Sequence, residues 1–272
     1  MKKLLPFYIV LTIFFFTETI NSQSSVSHEV GILFGVASYQ TDFGQRNDFP
    51  SANAATMTFG VTHYLKFFGS QYSWRTGSSY FSQHFKLKTE FNYMFNTNIQ
   101  HEGDYAKGNG NTAQKLREMQ GQIKMYNIGT NMEFYFMELE DYSSYYRSSN
   151  SLNPFVSLGL HYSFYDPDIS VSGVSLEGQE EPHTGLIDKW QSESIYLDKD
   201  STFGFSVGAG LRYSLDSFDL FIDGRWQHFF SDKVDGLDDN GPDPTSDIHT
   251  GSDYNDTMVL VNMGVVYVFG KN

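Results

Sequence analysis

The chain contains no cysteine. That removes disulfide frameworks and every cysteine-based metal or redox centre. Its 272 residues have a mean hydropathy of −0.38 and, beyond the first segment, no apolar run near the 20 residues that a membrane-spanning helix needs. A polytopic helical membrane protein is therefore excluded. Positive charge is also scarce: 18 Lys and Arg stand against 32 Asp and Glu, for a net charge of −14. Nucleic-acid binding, which requires a basic footprint, does not fit. No phosphate-cradling glycine loop and no zinc signature occurs, so no cofactor is expected. What the chain does have is aromatic residues, 25 Phe, 18 Tyr and 3 Trp. A disordered chain would be poor in them. A soluble β-rich domain and an outer-membrane barrel remain.

Residues 1–22 form an address. Lys2 and Lys3 precede an apolar stretch from Leu4 to Phe16, polar Thr17 and Glu18 end it, and Ser22 offers a small residue for cleavage. This is the pattern of a secretory signal peptide. Its removal leaves 23–272 as one domain with no internal linker.

Past that point the dominant period is two. In a strand, side chains alternate between faces, so one face can be apolar and the other polar. Phe85, Leu87, Thr89, Phe91, Tyr93 and Phe95 alternate with Lys86, Lys88, Glu90, Asn92 and Met94. Further strong segments occupy 203–215, 218–228 and 259–269, and weaker ones 29–39, 56–66, 123–136 and 155–165. These make eight expected strands of about 10–14 residues. The apolar sets are long and aromatic toward their ends, like interfacial girdles, and the opposite face carries Gly, Asn and charged residues. The expected fold is an all-β, eight-stranded antiparallel up-and-down transmembrane β-barrel. Its outer wall would contact outer-membrane lipids, and its crowded polar interior would leave no open channel.

The connections set the orientation. Those at 166–202 and 231–256 contain nine acids with two bases and eight acids with one base, so they account for nearly all the net charge. They read as long acidic external loops, whereas Asp216-Ser217 reads as a tight periplasmic turn.

The inward set includes Lys86, Lys88, Glu90, Glu133, Arg212, Asp223 and Arg225. Lone charges inside a barrel are expensive, so these residues are expected to pair into a structural plug. His161 and Ser163 share one face, a spacing that admits a barrel esterase acting on lipid A, with the hydroxyl activated by His and an acid. In the strand phasing both point inward, away from lipid. His228 with Ser231-Asp232 is an equally weak triad fragment. Asp235, Asp238, Asp239, Asn240, Gly241 and Asp243 resemble pieces of a calcium loop, but the spacing departs from the EF-hand pattern and reads as a solvated acidic loop.

Four stretches share one resemblance: EVGILFGVASYQTDFG (29–44), LREMQGQIKMYNIGTNMEFYF (116–136), NPFVSLGLHYSFYDP (153–167) and GLRYSLDSFDLFIDGRWQHFFSDKVDGLDD (210–239). The last is the closest, with Gly-x-x-Tyr, a tight turn, a strand ending Gly-Arg-Trp and an Asp-rich loop. Together they resemble the PorG-like outer-membrane proteins of the type IX secretion system. The resemblance implies a non-enzymatic secretion component that meets a periplasmic lipoprotein ring of the PorK/PorN type. The chain departs from that pattern in its long acidic loops and in two aromatic-serine runs, 71–83 and 141–150, features that would suit a paralogue with another partner. On the periplasmic side those runs offer Tyr72, Trp74, Arg75, Tyr142, Tyr145, Tyr146 and Arg147 as contacts for a protein, residue types enriched at interface hot spots. The competing readings are a girdle role for these residues, an accessory envelope-stabilising barrel without a secretion role, and the esterase.

Overall fold

In a computed structural model, the described residues are 26–43, 56–67, 79–139, 151–179, 186, 194–215, 218–237 and 255–269. Eight long strands alternate outward apolar with inward buried positions. They are β1 (Val26–Gln40), β2 (Thr56–Phe67), β3 (Phe85–Gln100), β4 (Met119–Tyr135), β5 (Ser151–Val171), β7 (Asp200–Ser214), β8 (Phe218–Phe229) and β9 (Thr257–Val268). A two-residue strand, β6 (Val174–Ser175), folds back on the end of β5. Every long neighbour is antiparallel to the next, β1 pairs with β9, and β4 pairs with β5. The sheet is thus a closed eight-stranded barrel with no free edge along its length.

Closure solves a problem specific to lipid. Backbone N–H and C=O groups cannot be left unpaired there, and a closed ladder satisfies all of them. The wall itself is apolar. Val30, Ile32, Phe34 and Val36 project from β1, Leu220, Ile222 and Trp226 from β8, and Val259, Val261, Met263 and Val265 from β9. Aromatic clusters bound this belt. At one rim Phe67, Phe81, Phe85 and Phe134 contact one another in sequence, and Phe218 meets Tyr267. Toward the other, Tyr93 packs on Tyr126, Tyr162 on Phe203, and Phe205 on Trp226. An apolar belt between two aromatic girdles defines a transmembrane barrel of the bacterial outer membrane. The chain therefore resides in the outer membrane.

The start of β1 and the end of β9 lie at the same rim, where Glu29 pairs with Val268. At that rim β7 passes to β8 within residues 215–217, and Leu215 N–H donates to the Phe218 carbonyl at 2.8 Å. Short turns mark the periplasmic side, so the opposite rim faces outward.

The strands at the outer rim depart from the sequence expectation. β3, β4 and β5 have 16, 17 and 21 residues, longer than 10–14, and part of the expected loop 166–202 is strand. The reason is an exchange of faces. Above the girdle the apolar residues Ile99, Met119, Ile123, Ile169 and Val171 point inward and the polar ones outward. In β3 the exchange needs a register shift between Met94 and Thr97, which turns Thr97 and Ile99 to the inside. A bulge inserts one residue into one strand and reverses the parity of all that follow. Among the described residues, three short helices lie in the connections: α1 (Tyr80–His84) at the periplasmic rim, and α2 (Asp104–Lys107) and α3 (Asn111–Glu118) outside. Among the described residues, no helix is long and apolar enough to cross a membrane.

Candidate functional site: the filled interior and its outer cap

The interior is layered. Nearest the periplasm, Glu29 of β1 accepts from Lys86 Nζ of β3 at 2.7 and 2.9 Å, and from the Arg212 guanidinium of β7. Arg212 Nε donates to Asp219 of β8 at 2.8 Å, and Ser214 Oγ donates to the other Asp219 oxygen. The guanidinium also lies 4.7 Å from the centre of the Tyr64 ring, a cation–π contact in a dry setting. One turn outward, Lys88 Nζ stands 3.1 Å from Glu90 and 3.9 Å from both Glu133 and Asp223, and Arg225 pairs with Glu90. Tyr135 OH donates to Glu133 at 2.6 Å.

All seven residues expected to form the plug lie in these two layers. Two members of the network, Glu29 and Asp219, were not among them. Both were within reach of the sequence. Asp219 shares the strand parity of Asp223 and Arg225, and Glu29 that of Gly31 and Gly35. With Lys66, the two layers hold five buried cations and five buried carboxylates among the described residues, so these layers are neutral, while the buried Asp232, Asp235 and Asp256 belong to the cap above.

The third layer is amide and hydroxyl. His161 of β5 lies across the barrel wall from Gly129 of β4, where a Cβ would collide with the imidazole ring. Its ring nitrogens meet Asn127 Oδ1 at 3.0 Å, Asn131 Oδ1 at 3.2 Å and Ser206 Oγ at 2.8 Å. Ser163 is held by Asn127 Nδ2 at 2.8 Å and not by His161. Both side chains are buried inside the barrel. The pair is thus a hydrogen-bonded filler of the wall's inner face, with amides where a triad would place its acid.

Beyond this layer the interior turns apolar, contrary to the expected polar filling throughout. Tyr39, Met94, Met125, Met258 and Leu260 continue into Phe43, Ile99, Ile169, Val234 and Leu237 as one cluster. The Tyr39 hydroxyl points at the Met94 sulfur at 3.2 Å. Gly121 is required here, since its missing Cβ leaves room for the Phe43 ring, which would stand 2.8 Å away. Such close contact excludes water, so the cluster closes the outer half of the barrel.

Parts of three connections form a cap over it. Asp235 Oδ2 accepts the Asp42 backbone N–H at 3.0 Å and Oδ1 accepts that of Leu237 at 2.9 Å. Asp256 accepts the Val234 N–H at 3.0 Å, Ile195 bridges to Leu237, and Lys233 Nζ sits 3.7 Å from the centre of the Tyr196 ring. Burial, with Asp42 and Asp232 nearby, pushes the Asp235 carboxyl well above the usual carboxylate range. A raised folded value means that the stabilising contribution is full at acid pH, below the unfolded value, and is lost as pH rises through the folded value. Amide-exchange protection at Leu237, corrected for the intrinsic pH effect, is therefore expected to fall as pH rises. Protection that holds constant or grows with pH would contradict this reading. Asp238, Asp239, Asn240, Gly241 and Asp243 lie outside the described residues. Among those described, no group of three acids or histidines converges to hold a metal ion.

Tyr72, Trp74, Arg75, Tyr142, Tyr145, Tyr146 and Arg147 also lie outside the described residues. Beside them in sequence, α1 exposes Tyr80 and Phe81, and Phe81 packs against Phe67 and stacks on Phe85 of the wall. His84 at its end donates from Nδ1 to the Tyr135 carbonyl, 2.8 Å away, tying the helix to β4.

The class these features define is a small, filled outer-membrane barrel. No family model matches the chain, and no curated protein matches it. Solved structures that it is similar to include Neisserial surface protein A, with 11% identity over 90% of this chain and 100% of that one at a TM-score of 0.44. Ail, the attachment invasion locus protein of Yersinia pestis, shares 12% identity over 90% and 100%, at a TM-score of 0.42. The N-terminal barrel domain of Pseudomonas aeruginosa OprF shares 11% over 89% and 99%, at 0.36.

Proposed function

We propose that this protein is a non-enzymatic anchoring subunit of a protein secretion apparatus of the PorG-like, type IX kind, holding periplasmic ring proteins of the PorK/PorN type at the outer membrane. The observation that supports an anchoring role is the interior. Neutral ion-pair layers below and a continuous apolar cluster above occupy the lumen, so the parts left for work are the rims. His161 supports the non-enzymatic reading, because its ring nitrogens meet amide and hydroxyl partners. The secretion role itself rests on the resemblance of the four stretches quoted above, of which 210–239 is the closest.

Two measurements test it. Deletion of the gene should abolish export of secretion substrates, and pull-down of the intact barrel should recover periplasmic ring proteins. Replacing Trp74 and Tyr145 by Ala should weaken that recovery while the barrel remains folded on unheated gels. Unaltered export with a fragile envelope would assign the chain to an accessory, stabilising role instead.

A further inference from the structure

Above the outer girdle, β3, β4 and β5 continue as a sheet, and its outward face is a direct continuation of the lipid-facing wall. Read upward, the outward positions of β4 are Ile128, Tyr126, Lys124, Gln122 and Gln120. Those of β5 are Leu160, Tyr162, Phe164, Asp166, Asp168 and Ser170. On each strand the face passes from aliphatic to aromatic to amide, hydroxyl and charge without interruption. Seven residues of β5 stand above Phe164, a height of roughly 15–20 Å at about 3.3 Å per residue and a tilt of about 40°.

The register gathers the polar side chains into rows. Asn98, Gln122 and Asp168 are neighbours across the three strands, and Gln100, Gln120, Ser170 and Ser175 form the next row. The β3 bulge is what brings Asn98 and Gln100 onto this face. The inner face of the same sheet is packed against the apolar cluster, which holds the rows rigid. The charges cancel locally. Lys124 is opposite Asp166, Lys199 Nζ is 2.6 Å from Asp166, and Asp168 accepts from Ser175 Oγ at 2.6 Å. Lys124 and Lys199 offset Asp166 and Asp168, and the carboxylates of Glu118 and Glu177 stand beside the rows, so the face has no excess of positive charge to hold a phosphate. Its primary amides each supply donors and acceptors, the chemistry that pairs with vicinal hydroxyl groups.

We propose that this face binds the neutral sugar portion of an outer-leaflet glycolipid whose acyl chains cover the apolar wall directly below. The occupant follows from continuity: a lipid lying against Ile128, Tyr126 and Leu160 places its headgroup at the level of the amide rows. The surface thereby selects annular lipids that carry an extended saccharide. It is independent of the secretion role, since it involves the outer rim and not the periplasmic one.

The test uses the mature protein folded into lipid nanodiscs and released into mild detergent, with retained lipid counted by native mass spectrometry. The discs contain lipopolysaccharide with its core saccharide and lipid A lacking the core, in equal amounts. The wild-type barrel should retain the core-bearing form several-fold over the core-less one. Replacing Asn98, Gln120 and Gln122 together by Ala should reduce that preference by roughly tenfold, with lipid A retention unchanged. Gln122→Glu, a shape-conserving change on an exposed face, serves as the second variant and should also reduce the preference. Equal retention of the two lipids by the wild type would overturn the proposal, as would a preference that persists in both variants. Binding of free core oligosaccharide as strong as that of the intact glycolipid would overturn the membrane source and assign the face to soluble glycans. Displacement of the glycolipid by an envelope protein that protects the same rows would equally overturn it.

Discussion

Arg212→Ala is expected to lower the stability of the barrel by about 3–5 kcal/mol, the range found when one partner of a buried ion pair is removed. The size follows from what is left behind. Glu29 retains Lys86, but Asp219 loses its only cation among the pairs described and keeps a hydroxyl donor from Ser214. The Tyr64 ring loses the guanidinium that lies 4.7 Å from its centre. Lysine is not an adequate substitute, since it cannot fork between Glu29 and Asp219 in one plane. The check is a urea titration in micelles, followed by the heat-dependent shift in gel mobility that reports a folded barrel. Adding Asp219→Asn to Arg212→Ala should recover part of the loss, because the stranded carboxylate is then neutral. A double variant that is less stable than the single one would show that the pair is not coupled in this way.

Glu90→Ala is expected to cost a similar amount, about 3–5 kcal/mol, with the opposite sign of stranded charge. Arg225 depends on Glu90 for its ion pair, while Lys88 still faces Glu133 and Asp223 at 3.9 Å. Alanine would therefore leave the buried Arg225 guanidinium without its direct ion-pair partner, with Asp223 and Glu133 only in its neighbourhood. Glu90→Gln keeps the shape and an acceptor for Arg225, so its cost should be clearly smaller. The ordering Ala worse than Gln, measured by the same titration, separates lost charge from lost packing. Equal effects of the two substitutions would mean that the carboxylate charge contributes nothing.

The transmembrane wall was legible because its signal is strong and unmixed. In β8, Phe218, Leu220, Ile222 and Trp226 face lipid while Asp219, Asp223, Arg225 and Gln227 face inward, a contrast that period-two reading detects directly. Phe221 is the exception, an inward aromatic placed beside Leu33, Tyr64 and Val266. The upper parts of β3, β4 and β5 were not legible. Their outward residues are amides and their inward ones are apolar, so the alternation is that of a soluble sheet resting on a core. Read for a lipid face, Gln120 and Gln122 signal a loop. The parity change at the β3 bulge hid them further, since Thr97 and Ile99 are odd-numbered like the outward Phe91 and Phe95 yet lie inside. The apolar upper filling has the same origin: Met94 and Met125 sit at positions whose parity matches charged neighbours below, and parity alone says nothing about height. At the candidate site, pairing of the charges followed from the cost of burying them, whereas the partner of each depended on strand order around the ring.

That ring order bears on assembly. Glu29 belongs to the first strand, Lys86 to the third, and Arg212 and Asp219 to the seventh and eighth in the sequence, counting β6. A nascent barrel that entered the bilayer hairpin by hairpin would carry the Glu29–Lys86 pair inward before Arg212 and Asp219 arrived to complete the cluster. Burial without the full set of partners is penalised by several kcal/mol per ion. An incomplete cluster therefore disfavours entry strand by strand and favours a route in which β1 joins β9 as the barrel inserts. The charge cluster thus acts as a checkpoint in time: it favours concerted membrane entry and penalises a chain that lacks its late strands.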